Sequence, residues 1–299
     1  MLNLYIFAII RNNNKMNISE KYIKTAVFAA LEAGKAILEI YKTKEFDTEL
    51  KEDQSPLTIA DKNAHTVIKE KLSQTGLPVL SEEGKSVPYN ERKQWEYLWI
   101  VDPLDGTKEF IKGNDEFTVN IALVRDQTPV LGVIYVPVTD VLYAGGEKMG
   151  ARKIYKAGEQ VYNGNFTNWP GEKLPCVKPM IYGVVASRSH MSRKTEEFVN
   201  RIKKTKEDIR IISKGSSLKI CMVAEGEADV YPRFGPTSEW DTAAGHAIAV
   251  ASGATVFACN DNENNSDHAG QTTDPECDIK KPLYYNKEDL LNPWFIVKR

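Results

Sequence analysis

The chain has 299 residues, a formal net charge of −2 from 39 basic and 41 acidic side chains, and 42% hydrophobic content. That size leaves room for one large or two modest domains with a substantial core, and the balanced charge excludes the basic footprint of a nucleic-acid-binding protein. The four cysteines, Cys176, Cys221, Cys259 and Cys277, form no C-x-x-C pair, so neither a zinc site nor a disulfide framework is implied and the thiols are read as reduced.

Residues 1–10 are apolar but shorter than the roughly 20 residues that span a bilayer, and they lack the basic lead and cleavage site of a signal peptide. With residues 11–15 they read as an extension without order, a weak membrane-surface contact being the alternative. Asn17 and Glu20 have capping-box spacing. Ile23, Val27, Ala30, Leu31, Gly34, Ile37, Leu38 and Tyr41 then recur at helical spacing, which predicts a helix from Asn17 to about Lys42. A second helix is expected after Pro56, with Ala60, Ala64, Val67, Ile68 and Leu72 on one face and Gly76 as its stop. Thr58 and Asp61 suit a capping pair there, and His65, with no His or Cys one turn away, reads as a structural histidine.

A short strand at Pro78–Leu80 ends in the acidic turn Ser81-Glu82-Glu83-Gly84, and a buried strand at Tyr97–Val101 delivers Asp102-Pro103-Leu104-Asp105-Gly106-Thr107. Pro103 fixes one φ angle and withholds a donor, so the ladder is expected to end at Val101. Gly106 permits close backbone approach, and Thr107 opens a helix whose free N–H groups favour an anion. Two carboxylates, the carbonyl between them and that helix start suit a hard divalent metal gripping a phosphate. An acidic turn whose Asp side chains cap their own backbone is the alternative.

Strands at 118–124, 130–136 and 141–144 read as an antiparallel run, and 145–179 as edge strands and loops. The second half alternates strand and helix, the signature of an α/β layer. Three of its junctions suit a ligand: Ser187-Arg188-Ser189-His190, Gly215-Ser216-Ser217-Leu218-Lys219, and the helix opening at Trp240-Asp241, where an Asp is commonly an N-cap. Ala243, Ala244, Ala247 and Ala251 on that last helix imply a tight approach to a neighbour. Residues 260–281 are hydrophilic and read as an exposed loop.

Glu82-Glu83, Asp102-Pro-Leu-Asp105-Gly-Thr107 and Trp240-Asp241-x-Ala-Ala-Gly245, in this order, resemble the lithium-sensitive, magnesium-dependent phosphatases of the inositol monophosphatase superfamily, over about Met16 to Val297. Within it, Lys108-Glu109-Phe110, Glu116-Phe-Thr-Val-Asn120, Ser187–His190, Gly215–Lys219, Ala224-Glu-Gly226 and Tyr231–Pro236 are similar to the bacterial 3′(2′),5′-bisphosphate nucleotidases. The resemblance implies a mixed α/β and α+β fold, a layered α-β-α-β-α sandwich of the inositol monophosphatase and fructose bisphosphatase type. It implies an N-terminal α+β part, 16–160, with most metal ligands, and a C-terminal α/β part, 161–299, with the nucleotide-binding residues. By the same resemblance Glu82, Asp102, Asp105, Asp241 and the carbonyl of Leu104 hold two or more Mg²⁺, and Asp61 and Thr107 activate the attacking water. Gly106 and Thr107 offer N–H groups to the phosphate, and His190, Ser216, Lys219, Arg233 and Asp241 contact substrate.

The implied reaction converts adenosine 3′,5′-bisphosphate to AMP and phosphate, with 3′-phosphoadenylyl sulfate as a second substrate and a role in sulfur assimilation. The implied location is cytoplasmic or peripheral at the inner membrane, as a monomer or homodimer, with a small-molecule partner and no nucleic acid. An inositol or sugar monophosphatase and a non-catalytic nucleotide sensor are the alternatives.

Overall fold

Helix α1 spans Leu2–Thr43. Its start is a correction, since the helix expected from Asn17 begins at Leu2, inside the stretch read as an extension without order. No Gly or Pro occurs between Leu2 and Ala33, so nothing there breaks the helix, and Asn17 is an interior position rather than a cap. The structure, a computed structural model, describes residues 2–43, 48–50, 56–162, 170–187, 192–259 and 281–299. The reading of 260–281 therefore falls almost wholly outside the described residues. Among those residues no helix is long and apolar enough to cross a membrane.

Strands β1 (Thr48–Leu50) and β2 (Pro56–Thr58) pair antiparallel ahead of helix α2 (Ile59–Ser73). A seven-stranded sheet follows, comprising β3 (Val79–Ser81), β4 (Tyr97–Asp105), β5 (Thr118–Arg125), β6 (Thr128–Val136), β7 (Val141–Gly146), β8 (Gly150–Tyr155) and β9 (Glu172–Lys173) in that spatial order. The β3–β4 pair is parallel and the remaining pairs are antiparallel. Short helices α3 (Tyr89–Arg92), α4 (Thr107–Lys112) and α5 (Ala157–Tyr162) sit between these strands.

The rest of the chain supplies β10 (Tyr182–Ser187), α6 (Arg193–Thr205), β11 (Ile209–Lys214), α7 (Leu218–Glu225), β12 (Val230–Arg233), α8 (Glu239–Ala251), β13 (Thr255–Ala258) and β14 (Phe295–Lys298). Its five strands lie in the order β11-β10-β12-β14-β13. Strand β10 runs parallel to β11 and β12, and β14 runs antiparallel to β12 and β13.

Side-chain alternation builds the layers. Trp99, Val101, Val119, Ile121 and Val133 pack with α1 and α2. Their neighbours Leu98, Ile100, Ala122, Val124 and Ile134 pack with α7, α8 and the inner face of the second sheet. On that sheet's far face Val184, Val230 and Ile296 meet Val199 of α6. The result is the expected α-β-α-β-α sandwich. Its middle core is shared by strands before residue 160 and elements after it, and the chain passes from one sheet to the other between Lys173 and Tyr182.

Two contacts set the middle layer. A Cβ on Gly132 would come within 2.1 Å of the Ala244 carbonyl oxygen, so β6 and α8 touch backbone to backbone. This is the close neighbour that the alanine face of α8 predicts. Cys259, just after β13, is disulfide-bonded, which corrects the reading of reduced thiols, while Cys176 and Cys221 are free.

Candidate active site

Strand β4 does not stop at Val101. Asp102 pairs with Asn120 and Asp105 with Thr118, so three steps along β4 answer two along β5, which makes a bulge with one extra residue. Pro103 is accommodated because it lies inside that bulge, where a missing donor breaks no ladder bond. Side chains three apart in a regular strand face opposite ways; the extra residue resets the alternation and turns Asp102 and Asp105 toward one side. The self-capping alternative also holds locally, since Oδ1 of Asp102 accepts the Leu104 amide at 3.1 Å. Gly106 follows in the left-handed region, φ 92°, and α4 starts at Thr107.

Two further carboxylates join these. Glu82 donates its backbone N–H to the Val101 carbonyl at 3.1 Å, which lays its side chain against Asp102 as a hydrogen-bond partner. Asp241 is the third residue of α8 rather than its N-cap; Ser238 is the cap, and its N–H donates to Oδ2 of Asp241 at 2.8 Å. Burial first, then Glu82, Asp105 and Asp241, hold the Asp102 carboxyl well above the usual range. Burial and then Asp105 push Asp241 up to about 7. Asp105 is raised by burial although Lys219, Asn120 and Ser217 pull the other way.

Carboxylates that raise one another in this way are a poor apolar filling and a good cation site. Among the described residues no three acidic, His or Cys side chains already close on one point as a ready-made cage. The donor set is all oxygen and fits a hard cation such as Mg²⁺, which Glu82, Asp102, Asp105, Asp241 and the Leu104 carbonyl could hold.

Asp61 has two jobs. As the third residue of α2 it closes a capping box, Oδ2 accepting from the Thr58 N–H at 2.8 Å and the Thr58 hydroxyl at 2.6 Å. Its Oδ1 accepts from the Thr107 hydroxyl at 3.2 Å, and that hydroxyl also lies 3.3 Å from the Leu104 carbonyl. His65, one turn on, bonds Ser81 Oγ at 2.9 Å and so braces the turn before Glu82, in keeping with a structural histidine.

A cleft of about 640 Å³ opens beside the cluster and is lined by Asp105, Gly106 and Asp241 together with Ser216, Lys219 and Arg233. Ser216 takes a left-handed φ of 45°, and its carbonyl accepts from Lys219 Nζ at 2.6 Å. Burial lowers the Lys219 pKa, Asp105 opposes that, and Arg233 adds to it, so the two cations share one field. Arg233 donates from Nη2 to the Pro236 carbonyl at 2.8 Å, while its buried Nε has no hydrogen-bond partner. His190 lies outside the described residues.

Residues to which the sequence reading assigns no role complete the frame. Asn120 and Thr118 reach Asp105 and Ser217 from β5. Fully buried Glu239 accepts from the backbone N–H of Asn286, from that of Lys287, and from Lys287 Nζ, while Arg92 Nη1 donates to Asn286 Oδ1 at 3.0 Å. That chain of contacts fixes the start of α8, and so Asp241, but its members are far apart in sequence and carry no local signal.

The sequence pattern of the inositol monophosphatase family matches residues 19–291. The chain is 43% identical over 271 residues to the 3′(2′),5′-bisphosphate nucleotidase CysQ of Salmonella typhimurium, covering 90% of this chain and 96% of that one. It is 42% identical over 272 residues to the CysQ of the same description from Escherichia coli, with the same coverage. The crystal structure of CysQ from Bacteroides thetaiotaomicron, described as a bacterial member of the inositol monophosphatase family, superposes with a TM-score of 0.76 at 47% identity, covering 93% of this chain and 97% of that one.

Proposed function

The chain belongs to the inositol monophosphatase family, and within it we propose that it is a Mg²⁺-dependent phosphatase that removes the 3′-phosphate of adenosine 3′,5′-bisphosphate to give AMP and phosphate. The observation that carries this reading is the single cleft lined by Asp105 and Asp241 of the carboxylate cluster together with Lys219 and Arg233. A substrate with two anions can engage both the carboxylate-held cations and these two basic side chains. A sugar monophosphate leaves the second pair of cations, and the unpartnered Arg233 Nε, without an acceptor. The nucleotidase names of the relatives support the same choice.

When bound, two or more Mg²⁺ orient the phosphate and offset charge on the leaving ribose oxygen. The chain's own residues do the rest. Thr107 gives its proton to Oδ1 of Asp61 and takes one from the attacking water. The water oxygen bonds phosphorus as the bond from phosphorus to the ribose 3′ oxygen breaks, and that leaving oxygen takes its proton from solvent water. Gly106 and Thr107 present backbone N–H groups to the phosphate, and Ser216, Lys219 and Arg233 hold the 5′ group, with His190 assigned there by resemblance. An anionic 5′ phosphosulfate suits the same cations, so the reading extends to 3′-phosphoadenylyl sulfate, to sulfur assimilation and to the cytoplasm. A non-catalytic sensor is disfavoured because Asp61, Thr107 and all four carboxylates are present together.

Phosphate release against a panel of nucleotide and sugar phosphates, with and without Mg²⁺, tests the proposal. Expected is turnover of adenosine 3′,5′-bisphosphate far above that of inositol or sugar monophosphates, abolished by chelator. Preference for a sugar monophosphate, or full activity in metal-stripped buffer, overturns it.

A further inference from the structure

We propose that Asn120, together with Ser217, is a positioning residue for the metal site: it holds the Asp105 carboxylate by one oxygen and leaves the other for the cation. The inference rests on reading Asp105 as a metal ligand. Asn120 is 1% exposed and sits on β5 opposite the bulge. Its Nδ2 donates to Oδ2 of Asp105 at 3.2 Å, and the same oxygen accepts the Ser217 backbone N–H at 2.6 Å. Asn120 Oδ1 accepts from the Ser217 hydroxyl at 2.8 Å and from the Thr118 hydroxyl at 3.0 Å.

This network admits one orientation of the amide. Turned over, Asn120 would aim its carbonyl oxygen at a carboxylate, so Nδ2 faces Asp105 and Oδ1 faces the hydroxyls. The left-handed Ser216 turns the chain so that the Ser217 N–H reaches Asp105. The bridge therefore ties the bulge, which carries the metal candidates, to the start of α7, which carries Ser216 and Lys219. Partners of this kind, one step removed from a metal, set ligand orientation and are worth roughly 10–100-fold in metal affinity.

The test is Mg²⁺ binding to the full chain without substrate, by calorimetry, alongside kcat, KM and thermal melts. Asn120→Leu should weaken Mg²⁺ binding roughly 10–100-fold and lower kcat more than it raises the KM for the nucleotide. Ser217→Ala keeps the backbone N–H on Asp105 and should lose less; Ser217→Thr should recover the affinity. Mg²⁺ binding within about twofold of the parent in folded Asn120→Leu overturns the positioning role. If Asn120→Leu does not fold, the Ser217 pair decides it, and equal affinity in the Ala and Thr variants overturns it. Asp105→Asn separates the two claims. Lost Mg²⁺ binding there is expected, and unchanged binding overturns the ligand reading itself.

Discussion

The Thr107 hydroxyl donates to Oδ1 of Asp61 at 3.2 Å, while Oδ2 of the same carboxylate is pinned by Thr58 at the start of α2. A helix cap thus fixes the carboxylate that the proposed mechanism uses as base, so in that reading one side chain serves both fold and chemistry. Thr107→Ala should lower kcat roughly 10²–10⁴-fold, the usual contribution of a positioned proton acceptor, with little change in KM. Thr107→Ser should retain most of the rate because the hydroxyl survives. Steady-state kinetics check both, and a normal kcat in the Ala variant removes Thr107 from the mechanism.

The carboxylate cluster makes a pH prediction. Burial raises Asp102, Asp105 and Asp241 in the folded protein, and neighbouring carboxylates add to it at Asp102 and Asp241, the latter moving from 3.8 to about 7. A raised carboxyl contributes stability that is complete below its unfolded value and is lost as pH rises through its folded value. Metal-free protein should therefore melt higher near pH 5.5 than near pH 8. Mg²⁺ should raise the melting temperature most at the higher pH, where the carboxylates are ionised. The effect is on the order of a few kcal/mol, because each tenfold change in proton affinity between the folded and unfolded chain corresponds to about 1.4 kcal/mol. Thermal melts of chelated protein with the same stability at both pH values would contradict the cluster.

The layers and most elements are legible because buried strands and amphipathic helices write their periods into the sequence: Leu98 and Ile100 face one core, Trp99 and Val101 the other. The start of α1 is not, because Asn17 and Glu20 imitate a cap inside a stretch without a breaker. The bulge is hidden for a related reason. Pro103 signals a ladder break, and only the partner strand shows that pairing resumes at Asp105. The capping pair at Asp61 is legible in the sequence and one oxygen does cap, while the approach of the other to Thr107 joins residues 46 apart. The bond from Arg92 to Asn286 joins residues 194 apart, and no local pattern encodes it.

The alanine face of α8 has a stability consequence. Gly132→Ala puts a methyl 2.1 Å from the Ala244 carbonyl oxygen and 2.9 Å from its carbon, and backbone cannot step aside as a side chain does. Overpacking of this kind costs about 1–3 kcal/mol or more. The helix displaced is the one that carries Asp241, so the melting temperature and the Mg²⁺ affinity should fall together. A fully stable Gly132→Ala variant with unaltered Mg²⁺ binding would show that β6 and α8 tolerate separation.

Substrate choice rests on groups that never touch the reacting phosphate. Binding energy away from the reacting phosphate discriminates only if one substrate has a partner for it and the other does not. Lys219 is half-buried, and desolvation holds its pKa below the ordinary lysine value, a cost that a second anion relieves by favouring the ammonium form. Arg233 is anchored through Nη2 to Pro236 with Nε left unsatisfied, so its guanidinium is oriented before any ligand arrives. Lys219→Ala and Arg233→Ala should each raise the KM for adenosine 3′,5′-bisphosphate by at least about tenfold, or 1.4 kcal/mol, and far more than for a small monophosphate. The Mg²⁺ concentration for half-maximal rate should drift in both variants, because the charge of Lys219 reaches Asp105 and that of Arg233 reaches Asp241. Equal losses on both substrates would mean that these cations support the fold or the metals, and specificity would then have to be sought elsewhere in the cleft.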